Sequence, residues 1–426
     1  MTKRVIALCD LNNAFVTMER LFSVELRGVP VVTASNNDSM IIARSSEAKA
    51  LNIAMADPYF KWKHLEKSAG LIRKSANFSL YSNLSARFVA TLEMFSNHVV
   101  QYSVDECFYL LNENEKDGLE AYGKLIRATL EKNIGMISST GISETKTLSK
   151  CASSAAKKYP ATGGVVSLYN NPDKRKRLLN ITPVGTIWGV GKASTKKLNS
   201  MGIKTALELA NFDPSEARDE YGVNLFRTIE ELNGRASIEF EPDYSVSQSI
   251  IASRSLGQKT DDQNALISSI AAHISRASLK LRTQGTVAKT ISVLIQTSLF
   301  AKNEPSYSKE DSHTFAFATS DSRELLRVAT ALFKKIYKPG FNYAKTGVKL
   351  TRITPENDIQ EDLFSSSAVD EKSDSLMSVI DSLNSQFGKG AVKLGSETTS
   401  TKWVPQSISR SPNYTGDWSE LPVAKC

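Results

Sequence analysis

Three acidic residues stand where chain geometry would bring them together. Asp105 and Glu106 follow one another inside Gln101-Tyr102-Ser103-Val104-Asp105-Glu106-Cys107-Phe108-Tyr109-Leu110, between two short runs rich in β-branched and aromatic residues. That pattern reads as a hairpin with its acids at the tight end. Upstream, Val5-Ile6-Ala7-Leu8-Cys9 is an apolar run that stops at Asp10, as a buried strand does on reaching the edge of a site. Adjacent carboxylates repel unless something positive lies between them, and hard oxygen donors suit Mg²⁺. Asp10, Asp105 and Glu106 are the minimal carboxylate set for two-metal phosphoryl transfer. Taken singly, an acid pair at a turn is solvated surface, and Asp10 equally well caps the helix that follows. The set gains its meaning from its neighbours.

The elements that must position these acids can be read from the pattern. Asn12 to about Phe22 reads as a helix, Val31–Thr33 and Met40–Ala43 as short strands, and Ser45–Leu51 as a helix, with Pro58 closing that segment. An amphipathic helix over Ser79–Phe95 leads into the acid-bearing hairpin. A helix over Leu119–Lys132, a strand over Met136–Gly141 and a helix over Glu144–Lys158 follow. Strands interleaved with helices, with acids on neighbouring strand ends, describe an α+β, palm-like sheet with a small insertion.

From Pro183 the texture changes. Trp188-Gly189-Val190-Gly191-Lys192 leads into a helix over Ala193–Met201, and Gly202-Ile203 opens another over Thr205–Ala210. Such a hairpin is either an ordinary helical turn or a helix-hairpin-helix whose backbone N–H groups hold a DNA phosphate without reading sequence. Lys192, Lys196 and Lys197 at its mouth favour phosphate. Further on, a strand at Ile251–Leu256, a helix at Ala265–Thr283, a strand at Lys289–Thr297, a helix at Ser322–Tyr337 and a strand near Thr346–Thr351 give a βαββαβ-like order. Basic residues on its open strand faces, Arg254 among the expected DNA contacts, would suit a duplex groove. From Thr354 a Ser-rich, acidic linker leads to a short helix over Ser375–Gln386 and a Gly/Ser/Pro-rich end.

At 426 residues, with 41% hydrophobic and 23% charged residues, the chain has the composition of a multi-domain globular protein. The net charge of +8 is unevenly spread: residues 353–426 carry 6 Lys/Arg against 11 Asp/Glu, leaving a net +13 on residues 1–352. A basic body with an acidic tail suggests a polyanion held by the body and a partner sought by the tail. The apolar run after Lys3 and Arg4 is too short for a signal peptide or a membrane span. Four cysteines without paired spacing fit a reducing cytoplasm.

These motifs, in this order, resemble the Y-family translesion DNA polymerases of the UmuC type, the catalytic subunit of bacterial DNA polymerase V. The anchors are Asp10-Leu11-Asn12-Asn13 with Glu19, Ser35-Asn36-Asn37-Asp38, Ala43-Arg44 with Glu47-Ala48-Lys49-Ala50-Leu51, Ser103-Val104-Asp105-Glu106, Thr145-Lys146-Thr147-Leu148, Ala155-Ala156-Lys157-Lys158 and Trp188-Gly189-Val190-Gly191. The resemblance implies a right-handed polymerase. Its palm would be residues 1–22 and 76–166, its small fingers 23–75, its helix-hairpin-helix thumb 167–240 and its little finger 245–352. A tail over 353–426 would carry a clamp-binding motif and a partner-binding region.

By the same resemblance, Asp10, Asp105, Glu106 and the Leu11 carbonyl hold two Mg²⁺ ions, and the substrates are dNTPs on primer-template DNA. Phe15 stands where the family places an aromatic gate under the sugar, and Lys49 and Lys157 where it contacts the triphosphate. Ser39 and Met40 lie over the templating base, where a small glycine is usual, and Ala14 replaces the usual aromatic before the gate. Ser46 stands where many Y-family members, though not typically the UmuC branch, have a phosphate-binding tyrosine. Gly189, Gly191, Lys192 and Arg254 are the expected DNA contacts. Gln360, Leu363 and Phe364 of Gln360-Glu361-Asp362-Leu363-Phe364 match the pentapeptide that docks on a sliding clamp.

The implied activity is error-prone, DNA-directed DNA synthesis past damaged bases in the SOS response. The implied partners are a UmuD′-like dimer, a RecA nucleoprotein filament and the clamp, and the implied setting is the bacterial cytoplasm at the nucleoid, with no membrane. A catalytically inactive paralogue that binds primer-template DNA is the alternative, and a nucleotidyl cyclase on a similar palm is a second. The intact carboxylates speak against the first, and the duplex-gripping segments against the second.

Overall fold

The computed structural model describes residues 4–112, 118–240, 247–301, 304–358, 371–398 and 400–421. They fall into two compact units, one from the stretches 1–243 and 408–426 and the other from 244–407.

The first unit begins with β1 (Val5–Leu11) and α1 (Ala14–Arg20). It continues through β2 (Val31–Ala34), β3 (Ile41–Arg44), α2 (Ser46–Ala50), α3 (Leu65–Ser68), β4 (Ile72–Ser75), α4 (Phe78–Glu93), β5 (Val99–Gln101) and β6 (Glu106–Leu111). Then come α5 (Leu119–Ile134), β7 (Ser138–Ser143), α6 (Lys146–Lys158) and β8 (Val165–Ser167). Five strands form one sheet in the order β5-β6-β1-β7-β8, with β1 antiparallel to both neighbours. β1 is buried on both faces, which is why it reads as an unbroken apolar run rather than an alternation. Val5, Ala7, Cys9 and Leu11 join the core formed with α4 and α5, whereas Ile6 and Leu8 pack with Phe108 and Phe240. α6 crosses the sheet so closely that a Cβ on Gly141 would lie 2.1 Å from the Ser149 carbonyl oxygen and the Ser153 nitrogen. Only glycine allows that approach, and the Ser149 hydroxyl seals it by donating to the Ile6 carbonyl at 2.8 Å.

A separate three-stranded sheet, β3-β2-β4, occupies residues 31–75, with β2 antiparallel to β3 and parallel to β4. Downstream, α7 (Pro172–Ile181), α8 (Lys192–Ser200), α9 (Ala206–Ala210), α10 (Pro214–Tyr221) and α11 (Val223–Leu232) make a helical cluster. Its core of Leu179, Val184, Leu198, Leu209 and Ile229 is continuous with the α6 side of the sheet. The segment before Gly189 includes a single 3₁₀ turn, Val184–Thr186.

The second unit follows the anticipated βαββαβ order: β9 (Ser249–Thr260), α12 (Gln263–Thr283), β10 (Thr286–Thr297), β11 (Ser308–Thr319), α13 (Ser322–Ile336) and β12 (Tyr343–Pro355). The antiparallel sheet runs β11-β10-β12-β9, and α12 and α13 cover one face through Ile270, Leu281, Leu325 and Phe333. The sequence pattern misses β11, whose exposed, charged stretch gives no period-two signal. α14 (Glu371–Gln386) extends the expected tail helix by a turn and is held by a bidentate pair from Arg282 to Asp381, 2.6 and 2.9 Å. Past it, Trp403 is buried and donates to the Ser268 hydroxyl at 3.0 Å. The tail is therefore more than a linker: part packs on the second unit, and from Ile408 the chain belongs to the first again. Among the described residues no helix is long and apolar enough to cross a membrane.

Candidate active site

Backbone register brings the acids together. Asp10 and Glu106 are directly opposite partners of the β1–β6 ladder, and the Leu11 N–H donates to the Asp105 carbonyl at 2.9 Å. The turn before β6 is organised by Ser103, whose hydroxyl accepts from the N–H groups of Asp105 (3.3 Å) and Glu106 (3.0 Å) and donates to Asp105 Oδ1 at 2.6 Å. A short side chain that bonds its own backbone is what a tight acidic turn needs.

α6 lays cations against these acids. Its N-cap, Thr145, accepts from the Leu148 N–H and donates to the Glu231 carbonyl. From that anchored start, Lys150 and Lys157, seven residues apart, fall on one helical face. Lys150 Nζ lies 2.9 and 2.8 Å from the two Glu106 oxygens, and Lys157 Nζ lies 2.7 Å from Asp10 Oδ1. The Lys150 ammonium also sits over the Tyr102 ring (4.5 Å) and the Trp188 ring (5.7 Å). Burial drives the Asp10 carboxyl above its ordinary range; Lys157 pulls it back, while Glu106 and Asp105 push it further up.

Further cations lie near Lys157. Lys49 at the end of α2 donates to Asn13 Oδ1 at 2.5 Å. Its ammonium is held below the ordinary lysine value, chiefly by burial and then by the positive charges of Lys157 and Arg44. Arg44 Nε is buried with no hydrogen-bond partner. Its Nη1 donates to the Ile53 carbonyl, and the crowding of Lys49, Lys157 and Arg44 would be relieved by an anion rich in oxygens, such as a triphosphate.

Phe15, five residues past Asp10, is half-buried and stacks on Tyr81 with ring centroids 4.6 Å apart and planes 11° apart. Ser39 is exposed and Met40 half-buried, on a loop where Asn37 and Asp38 both take positive φ. In the helical cluster Gly189 has φ +92° and its missing Cβ would lie 2.6 Å from Thr228 Oγ1, whereas Gly191 has ordinary φ and open space; Lys192 is exposed at the start of α8. Arg254 corrects an expectation. It shares its strand face with Ile250 and Leu256, on the helix-covered side, and burial beside Arg276 lowers its pKa. The open face instead carries Lys345 and Lys349. Gln360, Leu363 and Phe364 lie outside the described residues.

Comparison with known proteins fixes the family. Residues 9–154 match the model of the impB/mucB/samB family, residues 247–363 that of the impB/mucB/samB family C-terminal domain, and residues 374–424 a domain of unknown function. Protein UmuC of Salmonella typhimurium is 39% identical over 418 residues, which span 97% of this chain and 99% of that protein. The chain belongs to the UmuC-type Y-family DNA polymerases. Protein MucB of Escherichia coli is 36% identical over 419 residues, 98% of this chain and 99% of its own. DNA polymerase IV of Acetivibrio thermocellus is 25% identical over 406 residues, 92% and 97% of the two chains. A solved Y-family DNA polymerase chimera of Dbh and Dpo4 shares the fold, with a TM-score of 0.63 at 19% identity over 82% of this chain and 99% of that one.

In this polymerase the donor set suits hard divalent cations: three carboxylates at adjacent strand ends, with Glu106 and Asp105 both raising the cost of charging Asp10. Among the described residues, no three His, Cys, Asp or Glu side chains stand in metal-holding geometry. Asp10 and Glu106 are turned to Lys157 and Lys150 instead. The sequence pattern does not single out Lys150 or Tyr81, and it places Asn13 and Arg44 in matching motifs without a role. The seven-residue spacing of Lys150 from Lys157 was the available signal for Lys150, and Ala43-Arg44 for Arg44; Tyr81 lies far from the gate in sequence and gives none.

Proposed function

We propose that this translesion polymerase synthesises DNA past damaged bases with low fidelity in the bacterial SOS response. The observation that carries the reading is the opposition of an acidic row (Asp10, Asp105, Glu106) to a cationic one (Arg44, Lys49, Lys157), with Phe15 on the helix that follows β1. Asp10, Asp105, Glu106 and the Leu11 carbonyl would hold two Mg²⁺ ions. When bound, these supply charge neutralisation at the primer 3′-oxygen and the departing pyrophosphate.

The chain's own residues do the rest. Arg44, Lys49 and Lys157 hold and orient the triphosphate, and Lys157 leaves Asp10 to do so. Phe15, fixed flat by Tyr81, blocks a 2′-hydroxyl. Ser39 and Met40 cover the template base, and being larger than glycine they narrow the range of lesions admitted. The backbone around Gly189 and Gly191, with Lys192, holds duplex phosphates; Lys345 and Lys349 take the role first expected of Arg254.

Residues 1–22 with 76–166 serve as palm, 23–75 as fingers, 167–240 as thumb and 245–352 as little finger. Partners of the active form are a UmuD′-like dimer, a RecA nucleoprotein filament and, through Gln360, Leu363 and Phe364, a sliding clamp, in the cytoplasm at the nucleoid. The test is primer extension over an abasic template with Mg²⁺, four dNTPs and these partners, beside Asp105→Ala/Glu106→Ala. Extension lost in the double variant while DNA binding persists supports the reading. DNA binding without extension by the native protein would favour the inactive, primer-binding paralogue.

A further inference from the structure

The C-terminal segment 408–414, inside the stretch matched by a domain of unknown function, lies against the elements that hold Phe15. It pairs with the end of β4 as a short parallel bridge: the Ser75 N–H donates to the Ser409 carbonyl (3.1 Å) and the Ser409 N–H to the Ser75 hydroxyl (2.9 Å). Ahead of the bridge, the Ile408 N–H donates to Asp38 Oδ2 at 3.1 Å, beside Ser39. Past it, the Asn77 amide donates to the Ser411 carbonyl (3.0 Å), the Ser411 hydroxyl (3.0 Å) and the Pro412 carbonyl (3.1 Å), and Tyr414 stacks on Phe22 at 4.7 Å. Asn77 is the N-cap of α4, the helix that carries Tyr81.

One contact runs directly to the gate. Glu19 on α1 is 1% exposed, and a carboxylate so buried needs donors. It receives two: the Tyr81 hydroxyl at 2.7 Å and the Ser411 hydroxyl at 3.2 Å, both on Oε1. Tyr81 is the ring on which Phe15 stacks. The chain of contacts is therefore Ser411 to Glu19 to Tyr81 to Phe15, with Asn77 fixing both the segment and the start of α4.

We propose that Ser411 is a positioning residue for sugar selection, and that segment 408–414 is the brace that holds the Phe15–Tyr81 stack in place. The proposal rests on the reading of Phe15 as the sugar gate. Without the Ser411 hydroxyl, Glu19 keeps one donor, Tyr81 gains freedom to swing with it, and the ring under the sugar is no longer held flat. Discrimination between deoxyribonucleotides and ribonucleotides then falls, while the acids and lysines that serve both substrates are untouched.

The test is single-nucleotide incorporation by the full-length polymerase on undamaged primer-template, comparing kcat/KM for dNTP and the matching rNTP. Ser411→Ala should lower the ratio about tenfold, the loss of one hydrogen bond to a charged group, mainly by raising kcat/KM for the rNTP. Ser411→Thr, which keeps the hydroxyl, should restore it. General destabilisation lowers both rates together and leaves their ratio alone, so the ratio isolates positioning. Phe15→Ala is the control. If it collapses the ratio while Ser411→Ala leaves it unchanged, the brace is refuted and the gate stands. If Phe15→Ala itself leaves the ratio intact, the gate reading fails and the brace with it.

Discussion

Lys150 holds both carboxylate oxygens of Glu106, at 2.9 and 2.8 Å, from beneath the rings of Tyr102 and Trp188. A cation binding Glu106 must displace that ammonium. The neighbouring aromatic rings, themselves edge-to-face at 5.6 Å, give the displaced lysine a place to remain, because a ring quadrupole attracts a cation without needing its hydrogen bonds. The lysine is thus a competitor for the carboxylate. Lys150→Met should lower the concentration of Mn²⁺ that half-saturates the DNA-free enzyme about fivefold, roughly the ~1 kcal/mol of a partly exposed ion pair. Electron paramagnetic resonance of free Mn²⁺ reads this directly. An unchanged midpoint would mean that Lys150 yields its place at no cost.

The row of Arg44, Lys49 and Lys157 predicts a second result, in substrate affinity. Lys49→Ala should raise KM for the incoming dNTP about tenfold, the worth of one charge-assisted hydrogen bond, with a smaller change in kcat. Lys157→Ala should do the same and also move the acid limb of the pH–rate profile. Burial already raises Asp10, and Lys157 opposes that rise. Removing the lysine raises Asp10 further, so its carboxylate protonates at higher pH and activity is lost sooner on acidification. A limb that stays in place, or moves to lower pH, would show that Asp10 does not set it.

Much of this site could be read from the sequence because it is built from strand ends. A buried strand that stops at an acid and a turn that carries two more are local patterns, and the ladder that pairs Asp10 with Glu106 follows from two short runs. The βαββαβ order was legible from its helices, whose apolar stripes are strong. What stayed hidden depends on distant partners. Arg254 looked outward until the register against Thr346 put it on the helix-covered face. The tail reads as polar linker because its contacts are hydrogen bonds of Ser, Asn and backbone groups, which leave no hydrophobic period to detect.

The two glycines of the hairpin before α8 should behave differently. Gly189 sits at φ +92°, and a Cβ there would meet Thr228 Oγ1 at 2.6 Å, while that hydroxyl is bonded to the Trp188 and Asn224 carbonyls. Gly189→Ala should cost about 1–3 kcal/mol of stability from backbone strain and weaken DNA binding by distorting the hairpin. Gly191→Ala, at φ −79° with no atom within 4 Å of the new methyl, should do neither. Thermal unfolding and duplex binding at fixed salt distinguish them. Equal effects would place the importance of the motif in flexibility rather than in the one strained position.

His273 makes the stability of the second unit depend on pH. Its ring is wholly buried among α12 and β12, with Nε2 3.2 Å from the Thr346 hydroxyl and 3.4 Å from that of Ser269, and Nδ1 without a partner. Burial, together with Arg276 and Arg254, lowers its pKa from 6.5 to about 3. Between those values the unfolded chain takes up a proton that the folded one refuses, so stability is full above pH 6.5 and declines as the pH falls towards 3. At pH 5 the loss amounts to about 2 kcal/mol at 1.36 kcal/mol per unit. His273→Gln keeps a polar group against Thr346 but cannot titrate. Urea unfolding, followed by hydrogen exchange in α12 and β9 to β12, should therefore lose about 2 kcal/mol more in the native protein than in the variant between pH 7 and pH 5. Parallel losses in the two proteins would assign the acid sensitivity to carboxylates elsewhere, such as Asp321, which Arg323 and Ser373 hold below its ordinary value against the opposing effect of burial.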